Sequence, residues 1–123
     1  MNIYQQDRED LIAALNETGF IVDQTQPEII DRGTILLDSV SYEWGTTFAQ
    51  VKATYIMHVI LDAFDAASAI DAQSAAVAAI WHTLTQTAAA DIETAGQVFN
   101  FSDATGNIYP AFTLTITSDI SYT

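Results

Sequence analysis

A chain of 123 residues with half of them apolar and 15% charged has the composition of one folded domain, 1–123, rather than of a disordered polymer. Sixteen Asp and Glu stand against Arg8, Arg32 and Lys52, a formal net charge of −13, so no basic stripe exists to neutralise phosphates and nucleic-acid binding is excluded. The absence of cysteine excludes a disulfide framework and thiolate chemistry.

The first predicted element is a helix over residues 4–18, with Tyr4, Leu11, Leu15 and Thr18 on a narrow stripe and Gly19 as its stop. Asn2 and Gln5 form a capping pair, and Asp7, Glu9 and Asp10 suit the positive end of the helix dipole. A short strand at residues 20–23 and a Pro27-containing connection lead to Gly33. Residues 34–44 then alternate, with Leu36, Val40, Tyr42 and Trp44 on one parity and Asp38 as the exception. After a turn at Gly45, Thr46 and Thr47, residues 48–61 alternate again, with Val51, Ala53, Tyr55, Met57, Val59 and Leu61 on the apolar side. The two stretches predict a long antiparallel hairpin.

Residues 65–89 predict a second, Ala-rich helix whose buried stripe is Ile70, Gln73, Val77, Ile80, Trp81, Leu84 and Ala88, opened by a Ser68–Asp71 capping pair. If Trp81 is core, its truncation to Ala costs ~3–5 kcal/mol. Residues 91–101 read as one strand, the polar run 102–107 as a hairpin loop, and residues 108–121 as the last strand. That strand sets Pro110, Phe112, Leu114, Ile116 and Ile120 against Tyr109, Thr113, Thr115, Thr117 and Asp119. The expectation is an α+β domain, a mixed or antiparallel sheet of about five strands with two helices, ordered helix, three strands, helix, two strands.

Side chains that carry chemistry are scattered. Nucleophilic catalysis needs a Ser, Thr or Cys beside a base oriented by a third group, but the two histidines, His58 and His82, fall on a strand and on a helix. Asp62, Asp65 and Asp71 precede or begin the second helix, yet the EF-hand pattern fails because Phe64 stands at a ligand position and the central Gly is missing. The five glycines are isolated, so no phosphate loop is present. No metal or cofactor is expected, and the chain is read as a non-enzyme. Residues 1–10 are polar and acidic, and the longest apolar run, residues 56–61, is interrupted by His58. A soluble intracellular product is therefore expected, with no membrane association. The aromatic residues around the hairpin turn either cover the domain's own core or project into a partner as an interface anchor. The Thr113, Thr115 and Thr117 ladder has the same two readings, an open sheet face or a face packed against a neighbouring subunit.

The order of elements, with the long hairpin at residues 34–61 and the final strand at 108–121, resembles the lambda-like tail terminator proteins of long-tailed bacteriophages. The resemblance spans nearly the whole chain and is one of architecture, without a sharp motif. It implies a homo-oligomeric ring, usually a hexamer, that binds the last ring of the tail tube, stops its polymerisation and offers a surface to the head connector or stopper protein. DNA passes through the channel of such a ring, and an acidic lining lets it slide without sticking. The protein would then be a part of the virion, at the junction of tail and neck, assembled in the host cytoplasm. The hairpin tip, Tyr42, Glu43, Trp44, Thr46 and Phe48, is the candidate interface with tube or neighbouring subunit. The competing readings are another neck or head-completion protein, or a small α+β ligand-binding or hydrolytic domain around Tyr55, Met57, Trp81 and an acid.

Overall fold

The computed structural model describes residues 2–25, 30–45, 50–87 and 90–121. The chain runs α1 (Ile3–Asn16), β1 (Ile21–Asp23), β2 (Thr34–Trp44), β3 (Gln50–Ile60), α2 (Ala66–Thr87), β4 (Ala90–Ala95), β5 (Phe99–Ser102) and β6 (Ile108–Ser121). The six strands form one mixed sheet in the order β1-β2-β3-β6-β4, with β5 also paired to β6. Only the β1–β2 pairing is parallel among the described residues.

Alternation in the two central strands decides where the core lies. Val51, Ala53, Tyr55, Met57 and Val59 of β3 point to the same side as Phe112, Leu114, Ile116 and Ile120 of β6, and all are buried. Leu11, Ala14 and Leu15 of α1 and Ala69, Ala76, Ile80 and Leu84 of α2 complete this cluster. Both helices therefore cover one face of the sheet, a two-layer α+β arrangement. The other face carries no helix among the described residues, and only a small second cluster sits on it, Ile30, Leu36, Ile60 and Ala111 with Phe101 and Tyr109 against them.

Three features differ from the sequence-based expectation, each for a local reason. In β2 the register with β3 slips between Leu37, opposite Met57, and Ser39, opposite Ile56, so Asp38 is an inserted bulge residue. An extra residue reverses the alternation: Leu36 belongs to the helix-free face, whereas Val40 and Tyr42 pack toward the helices. Residues 91–101 are two strands, not one. Phe99 comes four positions after Ala95, while their partners Leu114 and Ala111 are three positions apart. The surplus residue breaks the ladder, and one amide, Gly96 N donating to Thr113 O at 2.8 Å, spans the gap.

The third difference lies in α2. Its cap is Asp65, whose carboxylate accepts the Ser68 amide at 2.7 Å, in place of the expected Ser68–Asp71 pair. Ala69, Ala76, Ile80 and Leu84 face the core, whereas Ile70 and Trp81 are each 58% exposed. Positions 69, 76 and 80 and positions 70, 77 and 81 have the same helical spacing, one residue apart, so an Ala-rich helix offers two similar apolar stripes. Trp81 is on the outer one, which removes it from the core and from the class of ~3–5 kcal/mol truncations.

The ends of α1 follow their caps. The Asn2 side chain accepts the Gln5 amide at 2.9 Å and the Gln5 side chain accepts the Asn2 amide at 3.2 Å, a complete capping box. One turn later Asp7 ties the helix to the sheet, accepting the Tyr55 hydroxyl at 2.5 Å and the Ser118 hydroxyl at 2.7 Å. Burial first, then the adjacent Asp7 carboxylate, pushes the Tyr55 phenol well above its ordinary range.

Candidate assembly surfaces

The hairpin end is built by the antiparallel pairing of β2 with β3, which runs to Tyr42 opposite Ala53, Glu43 opposite Lys52 and Trp44 opposite Val51. Tyr42 is half-buried and meets Tyr4 of α1 edge-on, with ring centroids 5.2 Å apart at 70°. It fastens the hairpin to the helix layer. Glu43 is exposed, and Trp44 is 62% exposed although its backbone partner Val51 is fully buried. Glu43, Trp44, Gly45, Gln50, Lys52 and Asp119 surround a shallow hollow of about 290 Å³. Thr46 and Phe48 lie outside the described residues. Of the described tip residues, Glu43 and Trp44 are presented outward, and Tyr42 serves the domain's own packing.

A second surface, on the exposed side of the second helix, runs between α2 and the β4–β5 edge. A cleft of about 520 Å³ opens between Ala66, Ala69 and Ile70 of α2 and Val98, Phe99 and Ile108 of the sheet, with Phe64 and Arg32 at its rim. Phe64 is 84% and Ile108 60% exposed. The Arg32 guanidinium lies over the Phe64 ring at 4.1 Å and 3.9 Å from Asp62, so one of the three basic residues is held here by stacking as well as charge. Further along α2 a shallower cleft of about 510 Å³ is lined by Gln73, Ser74, Val77, Ala78, Trp81 and Ala95. The Gln73 amide donates to Gly96 O at 2.5 Å, joining helix and edge between the two clefts. The signal was present in the sequence as a 22-residue helix with one charged residue, Asp71.

The helix-free face is rich in hydroxyls. Thr54 of β3 and Thr113, Thr115 and Thr117 of β6 are half-buried among one another, and Ser39 and Ser41 of β2 are exposed beside them. His58 also lies on this face, with Nδ1 3.2 Å from Thr113 Oγ1 and Nε2 4.0 Å from Asp38 Oδ2, flanked by Phe99 and Phe101. A cleft of about 220 Å³ reaches His58, Asp38 and Asp103, but Thr113 does not line it. The Asp38 separation exceeds a hydrogen bond, so the three residues do not form an aligned nucleophile, base and orienter. His82 is exposed on α2, on the other side of the sheet, with Nε2 3.3 Å from the Gln86 side-chain nitrogen. The two histidines do not meet.

The pocket imagined around Tyr55, Met57 and Trp81 is absent for a packing reason: Tyr55 and Met57 are fully enclosed in the core while Trp81 stands outside it. Among the described residues no group of three or more His, Cys, Asp or Glu could hold a metal ion, and no helix is long and apolar enough to cross a membrane. The loop 103–107 is set by Asp103, whose Oδ1 accepts the Thr105 hydroxyl at 2.7 Å, the Thr105 amide at 3.0 Å and the Asn107 amide at 2.9 Å. The Thr105 hydroxyl and then these amides hold its carboxyl below the usual carboxylate range. Compared with models of known protein families and with curated proteins, the chain gives no match.

Proposed function

We propose that this chain is a virion structural protein of the tail-terminator kind, one that caps a phage tail tube as a closed ring, ends tube polymerisation and presents a surface for joining the head. The observation that carries the reading is Trp44, 62% exposed at the end of a hairpin whose two strands are each 11 residues long. A large aromatic on a rigid two-stranded arm is the chemistry of an interface anchor, and the Tyr4–Tyr42 contact stiffens the arm behind it. The α+β order of elements and the net charge of −13 support the same reading, since an acidic channel lets DNA pass without adhering. The partners are further copies of the chain, six in the expected ring, the tail tube protein and a head connector or stopper. Its place is the tail–neck region of the virion, after assembly in the host cytoplasm.

The test is tail assembly with Trp44→Ala, a charge-neutral change at an exposed site. A variant that folds like the parent should leave tails overlong, and tails of normal length would remove the hairpin tip from the mechanism. Co-sedimentation with extracted tail tubes separates the terminator reading from that of another neck protein, which would bind the portal side instead. One observation favours a small-ligand or hydrolytic role: the His58–Asp38 approach at 4.0 Å beside a cleft of about 220 Å³. That cleft is below the ~300–1,000 Å³ usual for ligand sites, so the assembly reading is preferred.

A further inference from the structure

The cleft on the helix-free face is built from separated parts of the chain. One wall is β2 at Leu36, Leu37 and the bulged Asp38, the opposite wall is Phe101 and Ser102 of β5 with Asp103 and Ala104 of the following loop, and Ile30 and His58 complete it. β5 pairs with β6 on the edge away from β3, yet the Phe101 and His58 ring centroids are 5.5 Å apart. The end of β5 and its loop therefore fold over the sheet toward β2 and enclose the cleft.

Asp103 is the unusual member. It is 8% exposed, and its two carboxylate oxygens differ: Oδ1 accepts from Thr105 and Asn107, while Oδ2 is buried without a hydrogen bond. The Ile30 amide lies near enough to favour the charged carboxyl but closes no hydrogen bond with Oδ2. A buried charged oxygen left unpaired is costly. Asp38 brings a second carboxylate, its side chain half exposed, and His58 Nε2 stands 4.0 Å from it, beyond hydrogen-bond reach. Among the described residues no Lys or Arg lines the cleft.

We infer that this cleft receives one lysine or arginine side chain of a partner protein. The cationic head sits between Asp38 at the mouth and Asp103 Oδ2 at the inner end, and the methylene stem lies along Leu36, Leu37 and Phe101. Because Oδ2 is covered, the head meets Asp38 first and reaches Asp103 as the exposed Ala104 turns aside. Carboxylates beside apolar walls match a side chain that joins an aliphatic stem to a charged head. They do not match an inorganic cation such as calcium, which takes about six to eight oxygen ligands. At about 220 Å³ the cleft is below the ~300–1,000 Å³ of sites for free ligands, and a single side chain is the occupant of that scale.

Charge decides that the occupant belongs to a different protein. The chain has three Lys and Arg residues, and each is engaged elsewhere. Arg32 stacks on Phe64 beside Asp62, Lys52 stands between its cross-strand neighbours Glu43 and Asp119, and Arg8 is half-buried on α1, across the sheet. A second copy would bring its own net charge of −13 with any of these, whereas a basic partner gains from the field of the whole chain. The cleft is apart from Trp44, so this inference goes beyond the tail-cap reading and the two can fail separately.

The test is a titration of the isotope-labelled full chain, followed by amide NMR shifts, with an end-blocked peptide of one arginine flanked by glycines. A lysine counterpart and a citrulline counterpart, which keeps the shape of arginine without its charge, serve as the other arms. The arginine or lysine peptide should move the amides of Asp38, His58 and residues 101–104 saturably, and the citrulline peptide should bind at least ~10-fold more weakly. Asp38→Asn, and separately Asp103→Asn, which keeps an Oδ1 acceptor for the loop, should each weaken binding by ~5–10-fold with the folded circular dichroism signal retained. Glu9→Gln on α1, the same change of net charge, should leave it unaltered. Equal binding of the citrulline peptide, the lack of a saturable shift, or an Asp38→Asn variant that binds as well as Glu9→Gln overturns the inference. Spermidine that moves the same amides and binds more tightly than either peptide would assign the cleft to a free polyamine. Self-association abolished by both Asp38→Asn and Lys52→Gln would assign it to a second copy, and either result ends the proposal.

Discussion

The two faces of the sheet are made by the same strands and meet opposite fates. On the helix-covered face every inward residue of β3 from Val51 to Val59 is buried beneath α1 and α2, and the Asp7 carboxylate brought there is matched by the hydroxyls of Tyr55 and Ser118. On the helix-free face the alternate residues are mainly threonines, serines, His58 and Lys52, with Ile56 among them, half-buried or exposed, and one small apolar cluster sits at the end near Leu36 and Phe101. The contrast teaches that stability is concentrated on one side, while the surfaces open to assembly lie outside the core: the helix-free face, the hairpin end and the outer side of α2.

The largest test of that contrast is Phe112→Ala. Phe112 is fully buried in the main cluster, and its truncation should lower unfolding free energy by ~3–5 kcal/mol in urea titration. A loss below ~1 kcal/mol would mean the covered face does not hold the fold. Next comes Asp7→Ala, which leaves the enclosed Tyr55 hydroxyl without its acceptor and should lose ~1–3 kcal/mol.

The same site carries a pH signature. The folded Tyr55 phenol titrates above its ordinary value, so the stability it provides is complete below the unfolded pKa of ~10 and is lost as pH rises beyond it. Tyr55→Phe should flatten the alkaline limb of the stability curve, and an unchanged limb would place the alkaline transition elsewhere. At the other extreme, Asp103 and Asp65 titrate below the ordinary value, the first through the Thr105 hydroxyl and the second through the Ser68 amide. Their contribution is present above the unfolded pKa of ~3.9 and disappears as pH falls through their lowered values. Asp103→Asn should flatten the acid limb.

The smallest effects belong to the open surfaces. Thr115→Ala, half-buried on the helix-free face, should change stability by ~1 kcal/mol or less, and Trp81→Ala by about 0.5 kcal/mol. A loss of several kcal/mol at Trp81, measured by denaturant titration at monomer concentration, would return it to the core and erase the difference between the two sides of α2.

Much of the architecture was legible in the residues. The odd positions of β3 and the even positions of β6 name the buried face by period alone, Asn2 and Gln5 announce the start of α1, and the loop residues 102–107 match the turn between β5 and β6 because Asp103, Thr105 and Asn107 bond locally. Trp44 was legible as a tip residue because it flanks the hairpin turn. The outer groove was not, since its walls come from α2, β5 and β6, which are distant in sequence.

Amino-acid sequence by itself determined the net charge of −13, a sum over the chain, and the element types and the alternation of the central strands, because those two depend on neighbours a few positions apart. Tertiary structure alone decided which of two equally spaced stripes on α2 meets the sheet, where Asp38 bulges from β2 and where pairing breaks after Ala95. Those outcomes depend on register and on shape complementarity between distant segments. Local pattern leaves them degenerate: two helix faces of similar apolarity, or two registers differing by one residue, are separated only by what packs against them.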